Sequence, residues 1–376
     1  MKMRLAALAL TALLQAGCAV AQPGPGPGPG PGPGLRQGPN AGPQLPPPPI
    51  TPDMSEAALA ASLDGWMSGL AEQQLFSGAV LVRHDGRDVW SKAYGLANRS
   101  ASLAATVDTP FNFGSIGKIL THTAIIQLAE AGKLSLDDTV GKWLPAYPQA
   151  VSRTATIEQL IGHRGGIADF FGPAFARTPK SQFTANRAYY DLISHQPPLF
   201  APGEREQYCN GCYAVLGEII AAATGVSYET YVRDNILLPA GMTHTVFAPP
   251  ASAARPYGRP RPDMDLQDVS NFHGAAASAA GGSFATLRDL AAFNDALRDN
   301  KLTRAPGTAA ILRADAPANG RATKRHGIGG GAPGVNAILT SNGSWTVITL
   351  ANLDPPAAEA PGSAIFRALA GPSDRP

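Results

Sequence analysis

Ser115 and Lys118 stand three residues apart in the stretch Phe111-Asn-Phe-Gly-Ser-Ile-Gly-Lys118, which opens a long apolar, helix-compatible run. Helical positions i and i+3 share a face, so the lysine amine can reach the serine hydroxyl without help from distant segments. A serine hydroxyl is a poor nucleophile at neutral pH, and a neighbour must take its proton as it attacks a carbonyl carbon. By itself Ser-x-x-Lys is common by chance and more often describes a solvated helix face. Two later stretches add chemistry. Tyr208-x-Asn210 follows a Pro202-Gly203 turn and precedes an apolar helical segment, and the glycine-rich run His326–Gly334 leads into a strand-like segment, Val335 to Thr340. Lysine and tyrosine ordinarily titrate near ~10.4 and ~10, so either must be depressed to serve as a base. A lysine ammonium favours tyrosinate, whereas desolvation favours the neutral amine. The two would titrate as a coupled pair, and the sequence leaves open which is the base.

Ser-x-x-Lys, Tyr-x-Asn and a glycine-rich strand, in that order, resemble the serine beta-lactamase and penicillin-binding-protein superfamily, in particular its class C beta-lactamase-like branch of esterases and D-aminopeptidases. The resemblance runs over roughly residues 57 to 370 and rests on further segments. Gly132-Lys-Leu-Ser-Leu-Asp-Asp138 follows the nucleophile helix. Leu160-Ile-Gly-His-Arg-Gly-Gly-Ile167 is similar to a family "LLTHTSGL" segment, Pro239-Ala-Gly-Met-Thr-His-Thr245 to "PLGMxxT", and Gly281-Gly-Ser-Phe-Ala-Thr-Leu-Arg-Asp-Leu290 to "GGLxSTxxDL". The resemblance implies Ser115 as nucleophile, Tyr208 in proton transfer, Lys118 in activation and positioning, and Asn210 in hydrogen bonding to substrate. It also implies an oxyanion hole made by the backbone N–H groups of Ser115 and Gly331, where loss of one donor typically costs ~10² to 10³ in rate.

The third motif departs from the family. Aligning Gly327 to Gly334 without a gap puts Ile328 where the family carries Lys or His, so a polar side chain above the nucleophile is missing. An apolar side chain there disfavours a β-lactam carboxylate. His326, two residues earlier, substitutes through a bulge or is a solvated strand residue, the latter being preferred. His122 and His163 are expected to be structural. Phe113 breaks the Gly-x-Ser-x-Gly pattern around Ser115, and no Glu-x-x-Leu-Asn segment is present for a class A deacylating water. No cofactor is implied, and no cluster has zinc spacing.

These residues need a scaffold. Ser55 to Gln73 is predicted as a helix, with Leu59, Leu63, Trp66, Met67 and Leu70 at helical spacing. Gly78–Arg83 and Asp88–Tyr94 around Asp85-Gly86 read as a hairpin, as do Val335–Thr340 and Ser344–Ala351 around Asn342-Gly343, with a helix over Gly362 to Leu369. The middle, about 108 to 300, carries helical signals. The expected fold is α/β of the α+β kind. One antiparallel sheet from the N- and C-terminal segments (about 51–107 and 301–376) is flanked by helices, with an inserted, mainly helical lobe.

Lys2 and Arg4, the apolar run Leu5 to Leu14 and Ala19-Val-Ala21 predict a signal peptide over residues 1–21. Six Pro-Gly repeats from Pro23 to Gly34 and the Pro-rich stretch to Pro49 predict a tether over 22–50, of up to ~90 Å if fully extended. The expected location is periplasmic or secreted. Lipid anchoring at Cys18 is the alternative, and the tether suits a link to the cell envelope. Removing Lys2 and Arg4 leaves 28 basic against 28 acidic residues, which gives no footprint for nucleic acid. Cys209 and Cys212 bracket Asn210, either paired or as two separate small buried residues. The function expected is a secreted serine hydrolase that acts through an acyl-enzyme on esters, D-amino-acid peptides or β-lactams, esterase-type favoured. A non-catalytic, penicillin-binding-like protein of the envelope is the rival.

Overall fold

The computed structural model describes residues 45–147, 153–261, 263–314 and 326–370. The predicted signal peptide, Cys18 and the tether up to residue 44 lie outside the described residues. Strand β1 (Gly78–His84) opens with five buried residues, because both of its faces are covered. Asp85 and Gly86, with φ of +48° and +78°, turn the chain into β2 (Arg87–Tyr94), the positive-φ pair that a tight hairpin requires. At the far end of the chain come β3 (His326–Ala332), β4 (Val335–Ser341) and β5 (Trp345–Ala351). All neighbours are antiparallel and the order is β2-β1-β5-β4-β3, so the first hairpin pairs with the last strand among the described residues. The expected sheet of terminal segments is therefore present.

Alternation along the strands divides the interior. Val80 and Val82 of β1, with Trp345 and Val347 of β5, face helix α1 (Glu56–Glu72) and the C-terminal helix Glu359–Ala370. These contribute Leu59, Leu63 and Met67, and Ile365, Phe366 and Leu369. Ala79 and Leu81, with Leu339, Ile348 and Leu350, face the opposite way and join Phe113, Ile116 and Leu120 in the larger core of the helical region. The period of two in the strands thus specifies which layer each side chain enters. Both helices lie close to their sequence-predicted ranges, the C-terminal one starting a turn earlier, at Glu359.

Between the sheet halves run helix α2 (Lys118–Glu130), Asn186–Ser194, α3 (Asn210–Thr224) and Leu287–Arg298. Edge strand β2 carries the exposed charges Arg87, Asp88 and Lys92, which discourage further strand pairing. The opposite edge, β3, has glycine at four of its seven positions and lies against the turn that leads into α2.

Candidate functional site

A two-residue ladder pairs Phe111–Asn112 with Phe284–Ala285 and delivers the chain to a tight 3-10 turn, Gly114–Gly117, which continues into α2. Asn112 Oδ1 accepts from Gly114 N at 2.9 Å, and Gly114 sits at φ +53°, a conformation that favours glycine. Phe113 and Ile116 are buried in the core on either side of Ser115. The turn is thus pinned by apolar side chains, while Ser115 and Lys118 remain on one face, as their spacing predicts.

Lys118, only 7% exposed, donates from Nζ to Ser115 Oγ (3.1 Å), Asn210 Oδ1 (2.7 Å) and the carbonyl oxygen of Ala280 (2.7 Å). Tyr208 OH lies 2.6 Å from Ser115 Oγ. The amine is 4.7 Å from the Tyr208 ring centre and 5.4 Å from that of Tyr213, within cation–π range of both. The structure therefore gathers four sequence-predicted residues, Ser115, Lys118, Tyr208 and Asn210, around one hydroxyl.

Tyr208 and Asn210 are held from behind. Cys209 and Cys212 are joined in a disulfide, closing a short ring over the first turn of α3. The backbone N–H of Cys209 donates to His163 Nδ1 at 3.2 Å, and the His163 ring stacks on Tyr208 with centres 4.9 Å apart. Burial, reinforced by the nearby Lys118 charge, pushes His163 down to about 4, so at neutral pH its ring is uncharged. With Nδ1 accepting, the proton resides on Nε2. His163 thus lies directly under the tyrosine as a neutral ring.

Sequence reasoning missed two participants. Asp169 Oδ2 accepts from the backbone N of Asn210 (3.2 Å) and from its Nδ2 (2.8 Å), while Oδ1 accepts from Phe171 N (2.9 Å). Its signal was an acidic residue just past the Leu160–Ile167 segment, and only the fold brings it to Asn210. The Ala280 carbonyl has no side-chain signal at all.

On β3 the backbone of Gly330 and Gly331 runs against the nucleophile turn. A Cβ on Gly330 would overlap the Phe113 carbonyl oxygen and stand 2.9 Å from Ser115 N, and one on Gly114 would stand 3.0 Å from Gly331 N. Glycine is required for this approach. Ile328 lies two residues from Gly330 on the same strand face, 7% exposed, in the same core as Phe113 and Ile116. His326 is not brought to the cluster, being four residues from Gly330 or ~13 Å along the strand. Nor is it solvated, as the sequence suggested. It is buried, with Nε2 2.9 Å from Asn294 Oδ1, and burial pushes it down to about 4. The β3–β4 register runs unbroken from His326↔Ser341 to Ala332↔Val335, so there is no bulge to re-aim it. His122, on α2, is likewise buried and pushed down to about 4.

The chain is similar to known proteins. Penicillin-binding protein 4* of Bacillus subtilis (strain 168) is 32% identical over 178 residues, 47% of this chain and 39% of the relative. Putative penicillin-binding protein PbpX of the same strain is 32% identical over 234 residues, 60% of this chain and 56% of the relative. The chain thus spans about half the length of these relatives or less. The solved structure of a penicillin binding protein from Bacillus halodurans superposes with a TM-score of 0.70 at 25% identity, covering 79% of this chain and 98% of that one. The sequence profile of the family described as Beta-lactamase matches residues 60–371, and with most of the chain so matched, this protein belongs to the Beta-lactamase family, within the serine beta-lactamase and penicillin-binding-protein superfamily.

Proposed function

We propose that this chain is an exported serine hydrolase that forms an acyl-enzyme on Ser115 and prefers neutral esters to β-lactams. The observation that carries this reading is the Ser115 hydroxyl held between Lys118 Nζ at 3.1 Å and Tyr208 OH at 2.6 Å. A hydroxyl so placed can lose its proton to the Lys118–Tyr208 pair as Oγ attacks a carbonyl carbon. The resulting oxyanion is assigned to the N–H groups of Ser115 and Gly331. Collapse returns the proton to the departing alcohol or amine and leaves an ester on Ser115, and water then reverses the sequence using the same pair. Asn210 is left with one N–H on Nδ2 for the substrate, since Asp169 takes the other.

Ester preference rests on Ile328. Its side chain can neither pair with a carboxylate nor replace that group's hydration, so a β-lactam carboxylate above it would be partly desolvated. The predicted signal peptide and the tether over 22–50 favour a periplasmic or secreted enzyme linked to the envelope. The Ile328 departure also gives some support to a penicillin-binding-like protein without turnover. A fluorescent phosphonate and a panel of p-nitrophenyl esters, nitrocefin and D-alanyl peptides separate the two readings. Labelling and ester turnover that both vanish in Ser115→Ala, with unfolding temperature unchanged, are expected. A wild-type chain that resists labelling would favour the binding protein, and retained turnover in Ser115→Ala would overturn the nucleophile assignment.

A further inference from the structure

Asp169 touches neither Ser115 nor Lys118 in any hydrogen bond of the described residues, yet its geometry decides how both are arranged. We infer that Asp169 is a positioning residue that fixes the orientation of the Asn210 amide and, through it, aims the Lys118 amine at Ser115. The inference rests on the reading of Ser115 as nucleophile.

A carboxylate can only accept hydrogen bonds, so the Asn210 side-chain atom 2.8 Å from Asp169 Oδ2 has to be the nitrogen. The same oxygen holds the Asn210 backbone N–H, and the partner oxygen is tied to Phe171 N. The carboxylate is therefore anchored at both ends. With Nδ2 committed, Oδ1 faces Lys118 at 2.7 Å. This matters because the lysine nitrogen is tetrahedral. Asn210 Oδ1 and the Ala280 carbonyl oxygen are both acceptors and engage two of its N–H bonds. The remaining vertex points at Ser115 Oγ. In the ammonium that vertex is a proton, and in the neutral amine it is the lone pair able to take the serine proton. Either way its direction is set by the two acceptors.

An amide turned by half a rotation would present Nδ2 to Lys118. That donor would oppose the ammonium, and it would attract the lone pair of the neutral amine away from Ser115. Asp169 excludes this alternative, since its oxygen would then face the amide oxygen at hydrogen-bond distance. Among the described residues, the titratable groups placed around Lys118 are Tyr208 just ahead of α3, Tyr213 on α3, His163 beneath Tyr208, and Asp169 behind Asn210.

The test is Asp169→Asn, equal in shape but without the charge and with a donor where an acceptor is needed. Active enzyme is first counted by phosphonate labelling of Ser115, and ester turnover is then measured per labelled site across pH. We expect full labelling capacity, kcat lowered about 10- to 100-fold and KM changed little, the size of loss typical of a misaimed catalytic group. The acid limb of kcat/KM should move to lower pH by roughly half a unit or more, because losing a carboxylate disfavours the protonated pair. In an Asn210→Ala background, Asp169→Asn should cost less than about twofold, because the intermediary is gone. Equal losses in both backgrounds, or an unmoved acid limb, would overturn the inference while leaving the nucleophile in place. A wild-type enzyme that cannot be labelled at Ser115 would overturn both.

Discussion

Replacing Gly330 by alanine tests the assignment of the oxyanion site more sharply than any loss of a side chain. The new methyl would overlap the Phe113 carbonyl oxygen and stand 2.9 Å from Ser115 N and 3.1 Å from Ile116 N, where ordinary contacts begin at 3.4 Å. Neither side can yield easily, since Phe113 and Ile116 are core residues and β3 is hydrogen-bonded to β4. Strand β3 must therefore retreat from the turn by about 1 Å, taking Gly331 N–H with it. An oxyanion donor works at roughly 2.7–3.1 Å, and losing one costs ~10² to 10³ in kcat, or about 3 to 4 kcal/mol of transition-state stabilisation. Overpacking should in addition cost about 1–3 kcal/mol of stability. The assay is kcat for p-nitrophenyl acetate per phosphonate-labelled site, with thermal unfolding alongside. Gly327→Ala is the control on the same strand, because its methyl would meet only the Thr340 side chain, at 3.7 and 3.8 Å. Gly330→Ala turning over like Gly327→Ala would refute the reasoning and remove Gly331 from the oxyanion site.

Tyr208→Phe and Lys118→Ala should each abolish most ester turnover, and the double variant should be little worse than either, since groups acting as one proton-transfer unit lose function non-additively. Multiplicative losses would instead mean separate roles. Ile328→Lys should raise nitrocefin turnover relative to ester turnover while lowering the unfolding temperature, because an amine enters a nearly buried position. His326→Ala should leave that ratio unchanged, given its pairing with Asn294 far along the strand. His122, His163 and His326 are each held down to about 4 by burial, whereas an unfolded histidine titrates near 6.5. Between these values the unfolded chain binds more protons, so stability rises with pH across the window and is lost as pH falls from about 6.5 towards 4. Each histidine contributes up to about 1.4 kcal/mol per pH unit. Unfolding temperatures that stay level from neutral pH to about pH 5 would contradict this.

The sheet was legible in the sequence because its determinants are local. The short apolar run Gly78–Val82 in β1 and the Asp85-Gly86 and Asn342-Gly343 turns identify strands from neighbours alone. The same holds for Ser115 and Lys118, whose contact is set by one turn of chain. Tyr208 and Asn210 reach that turn only through tertiary structure, and it was the ordered resemblance that placed them. Asp169 was illegible because its role depends on which atom of a distant amide it meets. His326 was misjudged for a related reason. A histidine flanked by Arg325 and Gly327 looks solvated, whereas the helix Leu287–Arg298, which supplies Asn294, covers that end of the strand. The choice between paired and separate cysteines was also beyond the sequence, since either fits a buried helix start, and the structure joins them.

The pairing of β1 with β5 has a consequence for how the protein comes into being. A ribosome adding about 5–20 residues per second makes Ser115 roughly 10 to 40 seconds before Gly331 and still longer before β5. Throughout that interval β1 has β2 on one side and, on the other, an open edge of unpaired backbone N–H and C=O groups, where Ala351 to Trp345 will later pair. Contacts that span nearly the whole chain close slowly, because the intervening loop must first give up its entropy. A nascent chain therefore cannot assemble its nucleophile's surroundings early, however soon α2 forms. It must be kept from aggregating at that edge until the last strand arrives, so completion of the C-terminal hairpin governs both the maturation of the site and the fate of truncated chains.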